Sequence, residues 1–127
     1  MTAVVIREYV VADAGSGPYD VTTGPDGALW FTMVHSGEIG RLLPGGGPTR
    51  HQLDPGCGPT IIVTGPDGAL WFTNGGNASI GRITTSGTVT KYTDVMNVPM
   101  DIALGSDGAL CKISPGFTDL TWPSAKA

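Results

Sequence analysis

One nine-residue sequence constrains the fold of this chain more than any other feature, because it recurs at a fixed interval. GPDGALWFT occupies residues 24–32 and 65–73, and the shortened copy GSDGAL occupies 105–110. The copies are 41 and 40 residues apart, and IGR keeps the same step at 39–41 and 80–82. The chain is therefore built from tandem units of about 41 residues.

Each unit divides into four short strands. In the first unit, β-branched and aromatic runs predict strands over residues 19–23, 28–32, 38–43 and 49–53. Pro25, Asp26 and Gly27 favour a tight turn between the first two, because proline presets φ, aspartate bonds its own backbone and glycine takes positive φ. Four strands in a period near 40 residues are typical of β-propeller blades. We predict an all-β fold, a partial β-propeller of about two and a half four-stranded antiparallel blades.

The repeat pattern is lost after Leu110. We predict blade repeats over residues 1–110 and a non-repeat C-terminal tail over 111–127, in which Pro115 and Pro123 interrupt any strand. Both complete units continue with WFT at this point, so we interpret the chain as a truncated or frameshifted form of a longer propeller. Open blade faces favour self-association, because a repeat unit is stabilised mainly by its neighbours.

The paired aromatic rings of the repeat are predicted to form the core. Trp30 and Phe31 alternate across the pleat, as Trp71 and Phe72 do one unit later, so each pair places one ring on each face of its blade. Both faces of a propeller blade are buried against neighbouring blades. The glycine of each IGR fits close packing better than a phosphate-binding loop, and the glycines at 45–47 fit a hairpin loop.

Charge and composition exclude several functions. The formal net charge is -4 without a basic stripe, so nucleic acid is not an expected partner. The apolar runs are too short to cross a membrane. The first eleven residues, MTAVVIREYVV, lack the features of a secretory signal and are predicted to form a strand. Cys57 and Cys111 are in no metal-binding spacing and are expected to be reduced thiols of a cytoplasmic protein.

Over residues 4–110 the chain resembles the virginiamycin B lyase family. The resemblance lies in the order of its motifs, which is GPDGALWFT, then IGR, then a short outer strand such as TKYT, then a proline. The resemblance implies a seven-bladed propeller that linearises streptogramin B, a macrocyclic depsipeptide, by elimination at its ester bond. It also implies a histidine base that removes the proton α to a carbonyl, and a Mg²⁺ held partly by glutamate that stabilises the enolate-like charge.

The family's catalytic residues are not matched in this chain. The resemblance places the base directly after the proline that opens an inner strand, and its glutamates just before that proline or just after WFT. The base positions are Tyr19, Thr60 and Met100, and the glutamate positions are Gly17, Gly58, Val98, Met33 and Asn74. We therefore predict no catalytic residue and no metal ligand, so that Mg²⁺ is a cofactor only if the family activity is retained.

We predict a streptogramin B lyase homologue that is truncated and inactive, because the resemblance places the catalytic set in later blades. The alternative is a noncatalytic propeller fragment that acts as a binding or interaction module. A streptogramin B-like molecule is the implied small-molecule partner. Tyr19, Thr60 and Asn74 are predicted to line its site, because they occupy strand ends or loops that point toward the propeller axis.

The other ionisable residues have simpler interpretations. His35 is expected at the surface of a loop, and His51 is expected to be exposed or edge-paired on an outer strand. Asp20 and Asp101 open inner strands toward the central channel, where a solvated lining is expected rather than a metal site. The acids of the repeated turn are assigned to that turn alone; they are Asp26, Asp67 and Asp107.

Overall fold

The computed structural model describes residues 3–93 and 101–113, which form two four-stranded antiparallel sheets and one two-stranded sheet. Blade 1 contains β1 (Pro18–Thr23), β2 (Leu29–Met33), β3 (Glu38–Leu42) and β4 (Thr49–Gln52). Blade 2 contains β5 (Pro59–Thr64), β6 (Leu70–Asn74), β7 (Ser79–Ile83) and β8 (Val89–Tyr92). Blade 3 contains β9 (Asp101–Leu104) and β10 (Leu110–Ile113). The predicted fold class is confirmed.

The repeated turn forms the hairpins as its residues predict. In blade 1, Gly27 has a φ of 81°, and the Asp26 carboxylate accepts a hydrogen bond of 3.2 Å from the Ala28 amide. Gly68 and Gly108 have φ values of 78° and 85° at the same place in the next two blades. These positions require glycine because an L side chain is strained at such φ values. The turn thus fixes how the first two strands of each blade pair.

Strand ends differ from the sequence-based prediction by one residue at several places. β1 begins at Pro18 rather than at 19, because Pro18 pairs with Met33 across a bulge in the β1–β2 pairing. β3 ends at Leu42 rather than at 43, because the carbonyl of Leu43 accepts the Gly46 amide at 2.9 Å and starts the hairpin turn.

The predicted strand at the amino terminus is wrong: residues 3–13 contain no strand. Val4, Ile6 and Val10 are instead exposed. A strand forms only where a neighbouring strand satisfies its backbone hydrogen bonds, and no described strand pairs with this segment. Strand-like residues alone therefore did not produce a strand.

The second strand of blade 3 continues past the predicted boundary at residue 110. Cys111, Lys112 and Ile113 pair with Ala103, Ile102 and Asp101 of β9. This pairing is made by the backbone, so it persists where cysteine replaces the tryptophan of the repeat. The rest of the predicted tail, residues 114–127, lies outside the described residues.

The core lies between the blades, and the paired rings point to opposite faces as predicted. Trp30 of blade 1 and Phe72 of blade 2 belong to one buried cluster, together with Ile39, Leu53 and Ile62. Trp71 belongs to the next cluster, which it forms with blade 3. Phe31 lies on the other face of blade 1, where Val11 and Ala12 pack against its cluster.

The glycine of each IGR is required by this packing. A Cβ atom on Gly40 would overlap the ring of Phe31, and one on Gly81 would overlap the ring of Phe72. The prediction of close packing is therefore confirmed. In the described part of the chain, no helix is long and apolar enough to cross a membrane.

Candidate functional site

The acid of the repeated turn does more than close the hairpin. Asp26 Oδ1 accepts a hydrogen bond of 3.0 Å from Trp30 Nε1, and its Oδ2 accepts one of 2.8 Å from Arg41 Nε. Arg41 also lies over the Trp30 ring, at 5.8 Å from its centroid. Burial opposes ionisation of Asp26, but the hydrogen bonds from Trp30 and Arg41 outweigh it and lower its pKa.

The same three residue types form the same unit one repeat later. Asp67 accepts hydrogen bonds of 3.0 Å from Trp71 Nε1 and 2.9 Å from Arg82 Nε. Burial again opposes ionisation, and the hydrogen bonds again lower the pKa of Asp67. These Asp–Trp–Arg units hold the rings and strands of each blade together, so they belong to the scaffold. Sequence reasoning missed the arginine, although Asp and Arg stand fifteen residues apart in both repeats.

A chain of hydrogen bonds joins the inner strands of blades 1 and 2. The Asp20 amide donates to Thr32 Oγ1 at 3.1 Å, and Thr32 Oγ1 donates to the Thr60 carbonyl at 2.6 Å. The Asp20 carboxylate accepts the amides of Val21 at 2.9 Å and Ile62 at 3.0 Å. Asp20 therefore fixes the position of one blade against the next and is not a free channel carboxylate. The side chain of Asp101 lies outside the described residues.

The three residues predicted to line a ligand site lie in different environments. Tyr19 is 63% exposed at the start of β1. Thr60 is half-buried at the start of β5, and its hydroxyl lies 2.8 Å from Thr73 Oγ1. Asn74 ends β6 opposite Pro59 and is only 3% exposed. Of the three, only Tyr19 presents most of its side chain to a ligand from solution.

Asn74 lines a groove between the blades instead of the rim. This groove has a volume of about 310 Å³ and is also lined by Leu53, Cys57, Phe72 and Lys91. Asn74 Nδ2 donates to Ser79 Oγ at 3.0 Å, whereas its Oδ1 is buried without a hydrogen-bond partner among the described residues. Burial raises the pKa of the Cys57 thiol, and the charge of Asp54 adds to that shift.

Neither histidine directly follows a proline that opens an inner strand. His35 is exposed in the β2–β3 loop, as expected, and its ring lies against Gly17: a Cβ added there would be 2.7 Å from His35 Nδ1. His51 is edge-paired with Ile39, also as expected, but it is half-buried and stacks on Trp30 with ring centroids 6.0 Å apart. In blade 2, Tyr92 stacks on Trp71 in the same way.

The Mg²⁺ implied by the family resemblance does not fit these residues. Within residues 3–93 and 101–113, no group of three or more His, Cys, Asp or Glu side chains could hold a metal ion. The carboxylates of Asp20 and Asp26 already accept hydrogen bonds from the protein: Asp20 from two backbone amides, and Asp26 from Trp30 and Arg41.

Four-stranded antiparallel sheets of one period, packed face to face through aromatic rings, define a β-propeller. The model of the virginiamycin B lyase family matches residues 4–116. The chain belongs to this family.

Known relatives agree with this membership. A virginiamycin B lyase from Saccharopolyspora erythraea is 65% identical over 51 residues, which are 40% of this chain and 17% of that relative. A crystal structure of a catalytically inactive virginiamycin B lyase from Staphylococcus aureus with quinupristin superposes with a TM-score of 0.81 at 38% identity. It covers 87% of this chain and 39% of that one. A streptogramin B lyase structure matches with a TM-score of 0.78 at 40% identity, over 85% of this chain and 37% of that one. The match therefore spans well under half the length of these relatives.

Proposed function

We propose that this chain is a noncatalytic blade module of the virginiamycin B lyase type, which does not linearise streptogramin B by itself. The observation that carries the proposal is the chemistry at the family's base position. In the described residues this position holds the phenol of Tyr19 and the hydroxyl of Thr60, which is hydrogen-bonded to Thr73. Neither a phenol nor an aliphatic hydroxyl is the usual general base, a role that histidine fills most often.

The histidines support the same proposal. The inactive Staphylococcus aureus enzyme carries alanine in place of one histidine, which indicates that its reaction depends on an imidazole. In this chain, His51 is stacked in the interface between blades, and His35 lies in a loop beside Gly17. The carboxylates of Asp20, Asp26 and Asp67 are hydrogen-bonded within the scaffold. Among the described residues, no group of three or more His, Cys, Asp or Glu side chains could hold a Mg²⁺ that would stabilise an enolate-like charge.

Incubation with virginiamycin B and Mg²⁺ tests the proposal. Elimination at the ester bond gives a linear isomer of unchanged mass, whereas hydrolysis adds one water, so chromatography with mass detection separates the two reactions. We expect neither product from this chain, and linear product from the Saccharopolyspora erythraea lyase under the same conditions.

Formation of the linear isomer would overturn the proposal. In that event, the variants His35→Ala and Tyr19→Phe identify the base, because both side chains are exposed near the start of β1. Tyr19 is the second residue of that strand, and the His35 ring lies against Gly17, which precedes it. His51→Ala is the control variant, since His51 lies against Trp30 instead.

Binding without reaction remains part of the proposal. Tyr19 offers an exposed aromatic ring at the rim, and such rings provide contact area for a depsipeptide. We expect virginiamycin B to shift the NMR signals of Tyr19 and not those of Tyr92, which is stacked on Trp71. Equal shifts at both tyrosines, or none at either, would count against a rim site.

A further inference from the structure

The groove between blades 1 and 2 has an apolar floor and one apolar wall. The Phe72 ring of β6 lies over Gly81 of β7, where no side chain is present, and both residues line the groove. Leu53 and Cys57, which follow β4, line it from the side of blade 1. Its volume of about 310 Å³ lies at the lower end of the range for small-molecule sites, about 300–1,000 Å³.

Polar residues replace those of blade 1 at two paired positions beside this groove. Asn74 of β6 pairs with Ser79 of β7. The same two positions of blade 1 hold Met33 and Glu38. Asn74 stands two residues after Phe72 and therefore shares its face, which is the face toward blade 1. Because Met33 is fully buried in blade 1, the scaffold does not require an amide at this position.

The ion pair on the solvent side of the groove also differs between the two blades. In blade 1, Arg50 lies 3.6 Å from Glu38 of the same blade. Lys91 is the counterpart of Arg50, and it instead reaches Asp54 after β4, at 2.7 Å. The opposite charges of Lys91 and Asp54 compensate each other. An uncharged ligand therefore suits the groove better than an ion, which would enter without a free partner.

One acceptor beside the groove receives no donor from the protein. Ser79 Oγ donates to Asn77 Oδ1, so it accepts from Asn74 Nδ2, at 3.0 Å. This order of donors and acceptors fixes the orientation of the Asn74 amide. It leaves Asn74 Oδ1 without a hydrogen-bond partner among the described residues, on a side chain that is only 3% exposed. A buried acceptor without a donor is costly, so a ligand that brings a donor gains stability there.

We propose that the groove between blades 1 and 2 binds a small uncharged carboxamide, whose N–H donates to Asn74 Oδ1 and whose apolar part packs against Leu53 and Phe72. A carboxamide also carries an acceptor for the Lys91 ammonium, which has three donors and uses one for Asp54. Apolar walls with a few polar groups that fix orientation are typical of small-molecule sites. This site is distinct from the rim at Tyr19 and does not rest on the proposed function.

Titration of the isotope-labelled full chain with benzamide, followed by NMR, tests the site. Acetophenone is the matched ligand, because it has the same ring and carbonyl but a methyl group in place of the amide nitrogen. We expect benzamide to bind at least about fivefold more tightly, since only benzamide satisfies the buried acceptor. The signals of the Asn74 side chain and the Gly81 amide should shift, whereas that of Gly27 in the turn of blade 1 should not. Equal affinities, no binding of benzamide, or shifts confined to other residues would overturn the proposal.

A matched pair of variants makes the test specific to Asn74. Asn74→Leu removes the acceptor with little change in size, and Met33 shows that this strand position accommodates an apolar side chain. We expect this variant to bind the two ligands about equally. Thr85→Leu is the control, because Thr85 is exposed in the β7–β8 turn and does not line the groove; it should keep the preference for benzamide.

The variants also show how the proposal fails. A preference for benzamide that persists in Asn74→Leu would refute the role of Asn74 Oδ1. Urea unfolding checks that both variants are folded, and if Asn74→Leu is not, the comparison of benzamide with acetophenone on the unaltered chain decides the outcome. Turnover of virginiamycin B would refute the noncatalytic proposal and leave the benzamide result standing.

Discussion

Replacing Asp67 in the turn of blade 2 is expected to destabilise the fold. Its carboxylate accepts three hydrogen bonds, from the Ala69 amide at 3.2 Å, Trp71 Nε1 at 3.0 Å and Arg82 Nε at 2.9 Å. Its side chain is only 17% exposed, so solvent screens these interactions weakly. Asp67→Ala would leave the buried indole N–H without an acceptor and Arg82 without its partner.

The size of the effect follows from these contacts. Hydrogen bonds to charged groups contribute about 1.5–3 kcal/mol each, but bonds to one carboxylate are not additive. We expect Asp67→Ala to lower the free energy of unfolding by about 3 kcal/mol, the lower end for breaking a buried ion pair. Asp67→Asn keeps an oxygen for Ala69 and Trp71 and loses only the bond to Arg82, so we expect a loss of about 1 kcal/mol.

Urea unfolding followed by far-ultraviolet circular dichroism measures these differences. Asp107→Ala is the matched control, because Asp107 is exposed and its described hydrogen bond is the one from the Ala109 amide, at 3.1 Å. We expect little change for this control. Equal losses for Asp67→Ala and Asp107→Ala would refute the reasoning. Equal losses for Asp67→Ala and Asp67→Asn would show that the arginine, rather than the indole, accounts for the stabilisation.

Three further predictions concern the two turn acids, the glycine of IGR and the buried Cys57. The pKa values of Asp26 and Asp67 in the folded state are lowered from 3.8, so the stability that these acids contribute is present above that pH and is lost as pH falls through the folded values. Acid titration followed by circular dichroism should show this loss, and the double variant D26N/D67N should make the stability less dependent on pH. Gly81→Ala should lower the free energy of unfolding by about 1–3 kcal/mol, because the added Cβ overlaps the Phe72 ring. Gly47→Ala should not lower it, because the space around the added Cβ is open. Equal urea midpoints for the two variants would contradict this prediction. In a C111S background, Cys57 should react slowly with iodoacetamide until urea unfolds the chain, because it is buried and its pKa is raised; rapid native labelling would contradict its burial.

The repeat made most of the fold predictable. Its period placed the strands to within about one residue, and the alternation of Trp30 with Phe31 assigned the rings to opposite faces. Both signals are local, since turn chemistry and side-chain alternation act within one hairpin. The strand predicted over the first residues failed because its pairing partner is not among the described strands.

The candidate site was less predictable because its residues are positioned by contacts distant in sequence. Asp20 is separated from Ile62 by 42 residues, and nothing local shows that its carboxylate accepts that amide. Asn74 was assigned to the ligand-facing rim, but the structure buries it beside Ser79 at the place where blade 1 has the apolar Met33.

Packing between the blades constrains some positions of the repeat and leaves others free to differ. The Asp–Trp–Arg unit and the IGR glycine are the same in both blades, because each blade must meet its neighbour through the same rings. The residue after the opening proline is free of that requirement, since it is Tyr19 in blade 1 and Thr60 in blade 2 on nearly the same backbone. A histidine at such a position would change the chemistry of the rim without changing the packing between blades. Similarity in the scaffold therefore establishes the family, whereas it does not determine the chemistry of the rim residues.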